Sequence, residues 1–206
     1  ISDNNVFMLY TDSKNRLWAG GAGNNGGLNL FNPEKLNFTV YKHDPKVSSS
    51  LVFDVVICMT EDKQGNFWIG TVNGLDKLDQ AKGAFTHYKI FPSDSIIGRK
   101  NVVASILEDN QNNLWVGNAN TGGLHILDRK TGQFKDYLQG HTVLSILQDS
   151  DGKIWAGADD GLYGYNSGSD NFSLLIDPAT GIGFNSIGLV EDNQNNLWIT
   201  SNNYLN

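Results

Sequence analysis

A chain of 206 residues with 39% hydrophobic residues and only four prolines can bury a sizeable core and lacks the composition of a disordered segment. A formal charge of -7 and a pI near 4.9 repel phosphate backbones and exclude nucleic acid as the expected partner; the densest basic pair is Arg99-Lys100. The single cysteine, Cys58, sits in an apolar run and reads as a small buried hydrophobe, and no apolar stretch reaches the roughly 18 residues of a membrane span.

The chain opens on a short apolar run, Val6-Phe7-Met8-Leu9, followed by Asp12, a turn-forming stretch and Leu17-Trp18-Ala19-Gly20. This phrase returns four more times. Trp18, Trp68, Trp115, Trp155 and Trp198 each stand six residues after an aspartate: Asp12, Asp62, Asp109, Asp149 and Asp192. The intervals between successive Trp are 50, 47, 40 and 43 residues, so one supersecondary unit is repeated. Glycine follows two residues after the first four Trp; Thr200 breaks the pattern.

Within each unit four strands are predicted. Strand A is the upstream run (Val6–Leu9, Val55–Met59, Val102–Leu107, Val143–Leu147, Ile187–Val190), too short for a helix and expected to be buried on both faces. The Asp then caps a tight turn, in which an Asn or Gly accepts positive φ, and strand B carries the Trp. A variable loop leads to strand C, Gly-Leu plus an alternating segment (Gly27–Phe31, Gly74–Leu78, Gly123–Leu127, Gly161–Tyr165), expected to be half-buried. Strand D (Phe38–Tyr41, Phe85–Tyr88, Phe134–Tyr137, Phe172–Leu175) alternates as an outer strand should. The units run approximately 1–48, 49–98, 99–138, 139–182 and 183–206.

Four antiparallel strands at this period predict an all-β fold, a β-propeller with four full blades and a partial fifth. Blades stack face to face, and the Trp is the expected filler between them. Burying 150–250 Å² of indole at about 25 cal/mol/Å² stabilises by roughly 4–6 kcal/mol as an upper bound.

Ile106-Leu107-Glu108-Asp109, Asn113-Leu114-Trp115-Val116-Gly117, Gly122-Gly123-Leu124, Phe134 and Tyr137 together resemble the two-component regulator propeller repeat. That repeat is typical of the extracytoplasmic sensor region of hybrid histidine kinases in gut-type Bacteroidetes. The resemblance implies a non-catalytic, periplasmic sensor fragment, an arc cut from a larger propeller; a closed five-bladed ring with a short last blade is the alternative. A membrane segment and kinase would lie elsewhere in the polypeptide. It also implies a homodimer in the full-length receptor and an oligosaccharide or other polar small ligand. Two alternatives are a propeller enzyme acting on polysaccharide, a lyase or glycosidase, and a scaffold for protein partners.

No catalytic, metal or cofactor site is expected. Asp149-Ser150-Asp151-Gly152-Lys153 resembles half a calcium loop but runs into strand B, so it reads as a turn. Glu61-Asp62, Glu108-Asp109 and Glu191-Asp192 recur in register and read as turn capping and solvation. Asp159 and Asp160 are neighbours whose side chains are expected to diverge. The histidines occupy scattered strand positions without ligand spacing. The B–C and D–A loops, which share the channel-mouth face of a propeller, hold the candidate ligand-binding residues Asn24, Asn25, Asn73, Asn118, Asn120, Asp159, Asp160, His43, Arg99, Lys100 and His141.

Overall fold

The computed structural model describes residues 1–23, 25–91, 101–176 and 188–200, and every regular element among them is a strand. The first sheet contains β1 (Val6–Thr11), β2 (Leu17–Gly21), β3 (Gly27–Asn32) and β4 (Asn37–Tyr41), and the second β5 (Val56–Glu61), β6 (Phe67–Thr71), β7 (Gly74–Asp79) and β8 (Ala84–Tyr88). The third contains β9 (Val103–Glu108), β10 (Leu114–Asn118), β11 (Gly123–Leu127) and β12 (Phe134–Tyr137), and the fourth β13 (Val143–Gln148), β14 (Ile154–Ala158), β15 (Gly161–Asn166) and β16 (Asn171–Ile176). A two-stranded sheet of β17 (Leu189–Glu191) and β18 (Leu197–Ile199) follows. Each full sheet is an A-B-C-D meander in chain order. The chain divides into two compact units, Ile1–Val103 and Ala104–Asn206.

The A–B turn has one geometry throughout. The third residue after each Asp lies at positive φ: Asn15 (59°), Gly65 (77°), Asn112 (66°), Gly152 (85°) and Asn195 (62°). Asn and Gly tolerate that region at least cost, which explains the Asn/Gly content of the turns. The glycine after the Trp has a different cause. A Cβ on Gly20 would stand 2.8 Å from the Val56 carbonyl oxygen, and one on Gly117 would stand 3.0 Å from the Val143 carbonyl oxygen. Within each unit, neighbouring blades thus approach too closely for a side chain there.

Each unit has its own core. In the first, Trp18, Leu28, Leu51, Val56, Ile69 and Phe85 pack together, with the Trp18 ring 5.4 Å from Phe67 of the next blade. In the second, Trp115, Leu124, Tyr137, Val143, Ile154 and Phe172 do so, with Tyr165 and Phe172 at 5.4 and 5.7 Å from the Trp115 ring. Trp18 and Trp115 are therefore wedged between blades, as expected. Trp68 is also buried and lies against Tyr88 of its own blade.

The expectation fails for the last two Trp. Trp155 is half-buried, with Lys153 Nζ 4.1 Å above its ring, and Trp198 is 60% exposed, because no described sheet lies over that face. Strand A is less buried than expected. In β1, Met8 and Tyr10 join the core while Phe7 and Leu9 face outward at 64% and 68% exposure. Strand C is more buried than an alternating strand should be: the first three residues of β3, β7 and β11 are all enclosed. Strands B and C are the central pair of each four-stranded sheet, and flanking strands cover both their edges.

Candidate functional site

The Asp-to-Trp spacing closes a hydrogen-bonded node at every A–B turn. The second carboxylate oxygen accepts the indole Nε1–H of the Trp six residues on, at 2.9, 2.8, 2.8, 2.7 and 2.7 Å from Asp12 to Asp192. The first oxygen accepts the backbone N–H four residues on, from Arg16, Asn66, Asn113, Lys153 and Asn196. Burial pushes the Asp12 carboxyl up. Hydrogen bonds from Trp18, Arg16 and Lys14 outweigh it and hold the group below the usual carboxylate range. Asp149 is used in this way, so the resemblance to a calcium loop is turn geometry.

The glutamates beside these aspartates have another partner, a correction to the capping and solvation reading. Glu61 accepts from Ser13 N–H and Oγ–H of the preceding blade, both at 2.8 Å. Glu191 does the same with Ser150 at 2.7 and 2.8 Å. Gln148 receives Asn110 N–H at 2.7 Å in the equivalent place. Glu108 instead accepts from Arg129 Nη2 at 2.6 Å. The side chain before the Asp thus joins consecutive blades within a unit. Internal comparison of the repeats carries the signal, since Ser after one Asp goes with Glu before the next.

The B–C and D–A ends hold most of the ligand-site candidates. Asn24, Arg99 and Lys100 lie outside the described residues. Asn25 is exposed in the first B–C loop, and Asn73 is half-buried with its N–H on Thr71 Oγ1. His43 Nδ1 meets the Leu51 carbonyl at 2.8 Å, and its backbone N–H donates to Asp54. Asn118 is buried, and neither of its amide atoms has a hydrogen-bond partner among the described residues. Asn120 is exposed at a φ of 55°.

Three candidates converge. One donor atom each of His141, Asp159 and Asp160 lie within 4.8 Å of one another, a set with the chemistry to hold a divalent cation. His141 Nδ1 meets Asp160 Oδ1 at 3.0 Å, Tyr163 Oη–H donates to Asp160 Oδ2 at 2.9 Å, and Thr142 N–H donates to Asp159 Oδ1 at 3.0 Å. The two acids do not diverge as expected. The tight Ala158–Gly161 turn presents both, and partners in the 141–142 link draw them to one side.

The histidines are less scattered than they look. Asp76 faces His87 across strands C and D of the second blade, and His125 faces Asp136 at the same register of the third. The ring-to-carboxylate contacts are 2.6 and 2.8 Å. In the second blade the carboxylate is enclosed and the imidazole 30% exposed; in the third the imidazole is enclosed and the carboxylate 38% exposed. Hydrogen bonding to Asp76 raises His87 above its ordinary value, and burial raises Asp76. Burial lowers His125 despite Asp136. Both pairs span 11 residues with the order reversed, a regularity that aligning the repeats would have exposed.

Two clefts lie at the opposite, A–B turn end. A cleft of about 1210 Å³ is lined by Ser13, Lys14, Glu61, Gln64, Lys77 and Tyr88, and one of about 590 Å³ by Gln111, Gln148, Lys153, Tyr165 and Leu175. They fall between equivalent turns of consecutive blades in each unit. Their recurrence marks them as a product of the repeat rather than as a dedicated site. Burial pushes the Cys58 thiol up to about 12, so it is no nucleophile at neutral pH.

Four segments of the chain, 1–23, 50–73, 97–120 and 137–160, match the family described as two component regulator propeller; the fifth unit is not among them. No curated protein matches the chain. The extracellular domain of a hybrid two component system from B. thetaiotaomicron is similar over 98% of this chain and 26% of its own, with a TM-score of 0.80 and 26% identity. A second such domain from B. thetaiotaomicron gives a TM-score of 0.78 at 24% identity, over 97% of this chain and 26% of its own. Virginiamycin B lyase from Staphylococcus aureus shares the fold, with a TM-score of 0.71 at 17% identity over 96% of this chain and 63% of its own. The chain thus spans about a quarter of the length of the sensor domains it matches. No helix among the described residues is long and apolar enough to cross a membrane. The chain is an all-β propeller protein, and each of its four segments that match the two-component regulator propeller repeat contains an A–B hairpin of the first four blades.

Proposed function

We propose that this chain is a ligand-reading part of an extracytoplasmic sensor whose histidine kinase lies elsewhere in a longer polypeptide. The observation that carries the reading is the run of four regulator-propeller segments, together with the likeness to an extracellular sensor domain. The proposed ligand is a carbohydrate, met by the B–C and D–A loops. The amides and acids there, including Asn25, Asn120 and Asp159, are exposed and suit neutral polyols. Binding would shift a dimer between two arrangements by its differential affinity for them.

The test is a thermal-shift and calorimetric screen of plant and host glycans on the complete ectodomain. A saturable shift with one glycan class, weakened by Asn120→Ala or Asp159→Ala, is the expected outcome. Turnover of the glycan in the same samples would replace the sensor with a polysaccharide-acting enzyme. The adjacent Asp159, Asp160 and His141 make that second reading worth the assay.

A further inference from the structure

Carbonyl oxygens only accept, so the 2.8 Å contact between His87 Nε2 and the Ser48 carbonyl requires a proton on Nε2. The 2.6 Å contact between His87 Nδ1 and Asp76 Oδ1 requires a second proton between them. Asp76 Oδ2 is already engaged by the Val52 N–H at 2.7 Å. The pair therefore holds two protons, whichever atom carries the shared one. Ser48 and Val52 both belong to the connection 42–55 between β4 and β5.

We propose that Asp76 and His87 form a proton-dependent latch on this connection. With two protons the pair holds both Ser48 and Val52; with one, that proton stays in the charge-assisted bond between Nδ1 and Asp76, the Nε2 lone pair faces the Ser48 carbonyl and that arm is released, while Asp76 Oδ2 still accepts from Val52. The latch belongs to the chain whatever ligand its loops take. The surroundings tune it: Lys89 disfavours charge on His87, while His43, in the same connection, favours charge on Asp76. A His raised in the folded state contributes stability fully below its unfolded value of about 6.5, and loses it as pH rises through the folded value. The latch accordingly opens on the alkaline side. His125 is the internal contrast. Its Nε2 donates to the Gly122 carbonyl at 2.9 Å and its Nδ1 meets Asp136, so it too needs two protons; enclosure of the ring makes the second leave at lower pH.

The test is imidazole nitrogen NMR on the full chain, with the Ser48 carbonyl carbon resonance followed alongside. At about pH 6 His87 should show two protonated nitrogens and the Ser48 carbonyl should show the shift of a hydrogen-bonded acceptor. Raising the pH through the His87 midpoint should move the Ser48 carbonyl carbon resonance toward its unbonded position with the same midpoint, and His125 should titrate at lower pH than His87. His87→Gln, which does not titrate, should remove the pH dependence of the Ser48 carbonyl resonance. A singly protonated His87 at about pH 6, or a Ser48 carbonyl resonance that ignores the His87 titration, overturns the latch. These two readouts need only the parent chain, so they decide the matter even if the variant does not fold.

Discussion

Trp115 and Trp198 belong to the same phrase and make the same hydrogen bond, yet one is 1% and the other 60% exposed. Each indole N–H reaches its aspartate six residues back, and each turn places an Asn at positive φ. The local grammar is therefore complete in both. What differs is the sheet beyond: Tyr165 and Phe172 of the next blade close over Trp115, and no described sheet does so for Trp198. The repeat dictates where the ring is aimed; a neighbouring blade decides whether it is buried.

The largest expected effect tests that division directly. Trp115→Ala should destabilise by about 3–5 kcal/mol in urea unfolding, and Trp198→Ala by less than about 1 kcal/mol. Equal costs would break the comparison. Removing the acceptor comes next. Asp109→Ala leaves a buried indole N–H and the Gln111 and Asn113 amides without their acceptor, at an expected cost of about 1–3 kcal/mol. Asp192→Ala exposes the same groups to water and should leave the unfolding midpoint unchanged.

The smallest effect sharpens the electrostatic side. Hydrogen bonds from Trp198 Nε1–H, then from Asn196, hold the Asp192 carboxyl far below the usual range. A carboxylate lowered in this way keeps its bonds above the unfolded value and loses them only as pH falls through the folded one. The Trp198 indole N–H resonance should therefore stay constant down through the ordinary carboxylate range. Trp198→Phe should return the Asp192 titration toward that range.

Much of this architecture was legible because strand and turn are local. The short apolar runs, the Asp-opened turns and the Gly-Leu starts each report on a few residues, and β1 to β16 fall where those runs lie. The spacing from Asp to Trp was visible too, but its cause was not. That cause is an indole donor folding back onto a carboxylate, which depends on how strand B returns past its own turn. Glu61 was misread for the same reason, since its partner Ser13 lies 48 residues away. Burial was the least legible quantity. Phe7 and Val56 look alike in sequence, yet only Val56 has a neighbouring blade across it. Among the candidate ligand residues, His141, Asp159 and Asp160 converge because a two-residue turn meets a short link, which composition could not reveal. Asp76 with His87 went unseen because charge and imidazole exchange strands from one repeat to the next.

The Ser13–Glu61 and Ser150–Glu191 contacts tie a turn of one repeat to the first strand of its successor. Such a joint needs no partner farther along the chain, so it is a modular coupling. A gene encoding this motif can lengthen by unequal crossing-over, and a copy of the fourth unit, which accepts through Gln148 and donates through Ser150, would arrive already carrying both halves of the fastener.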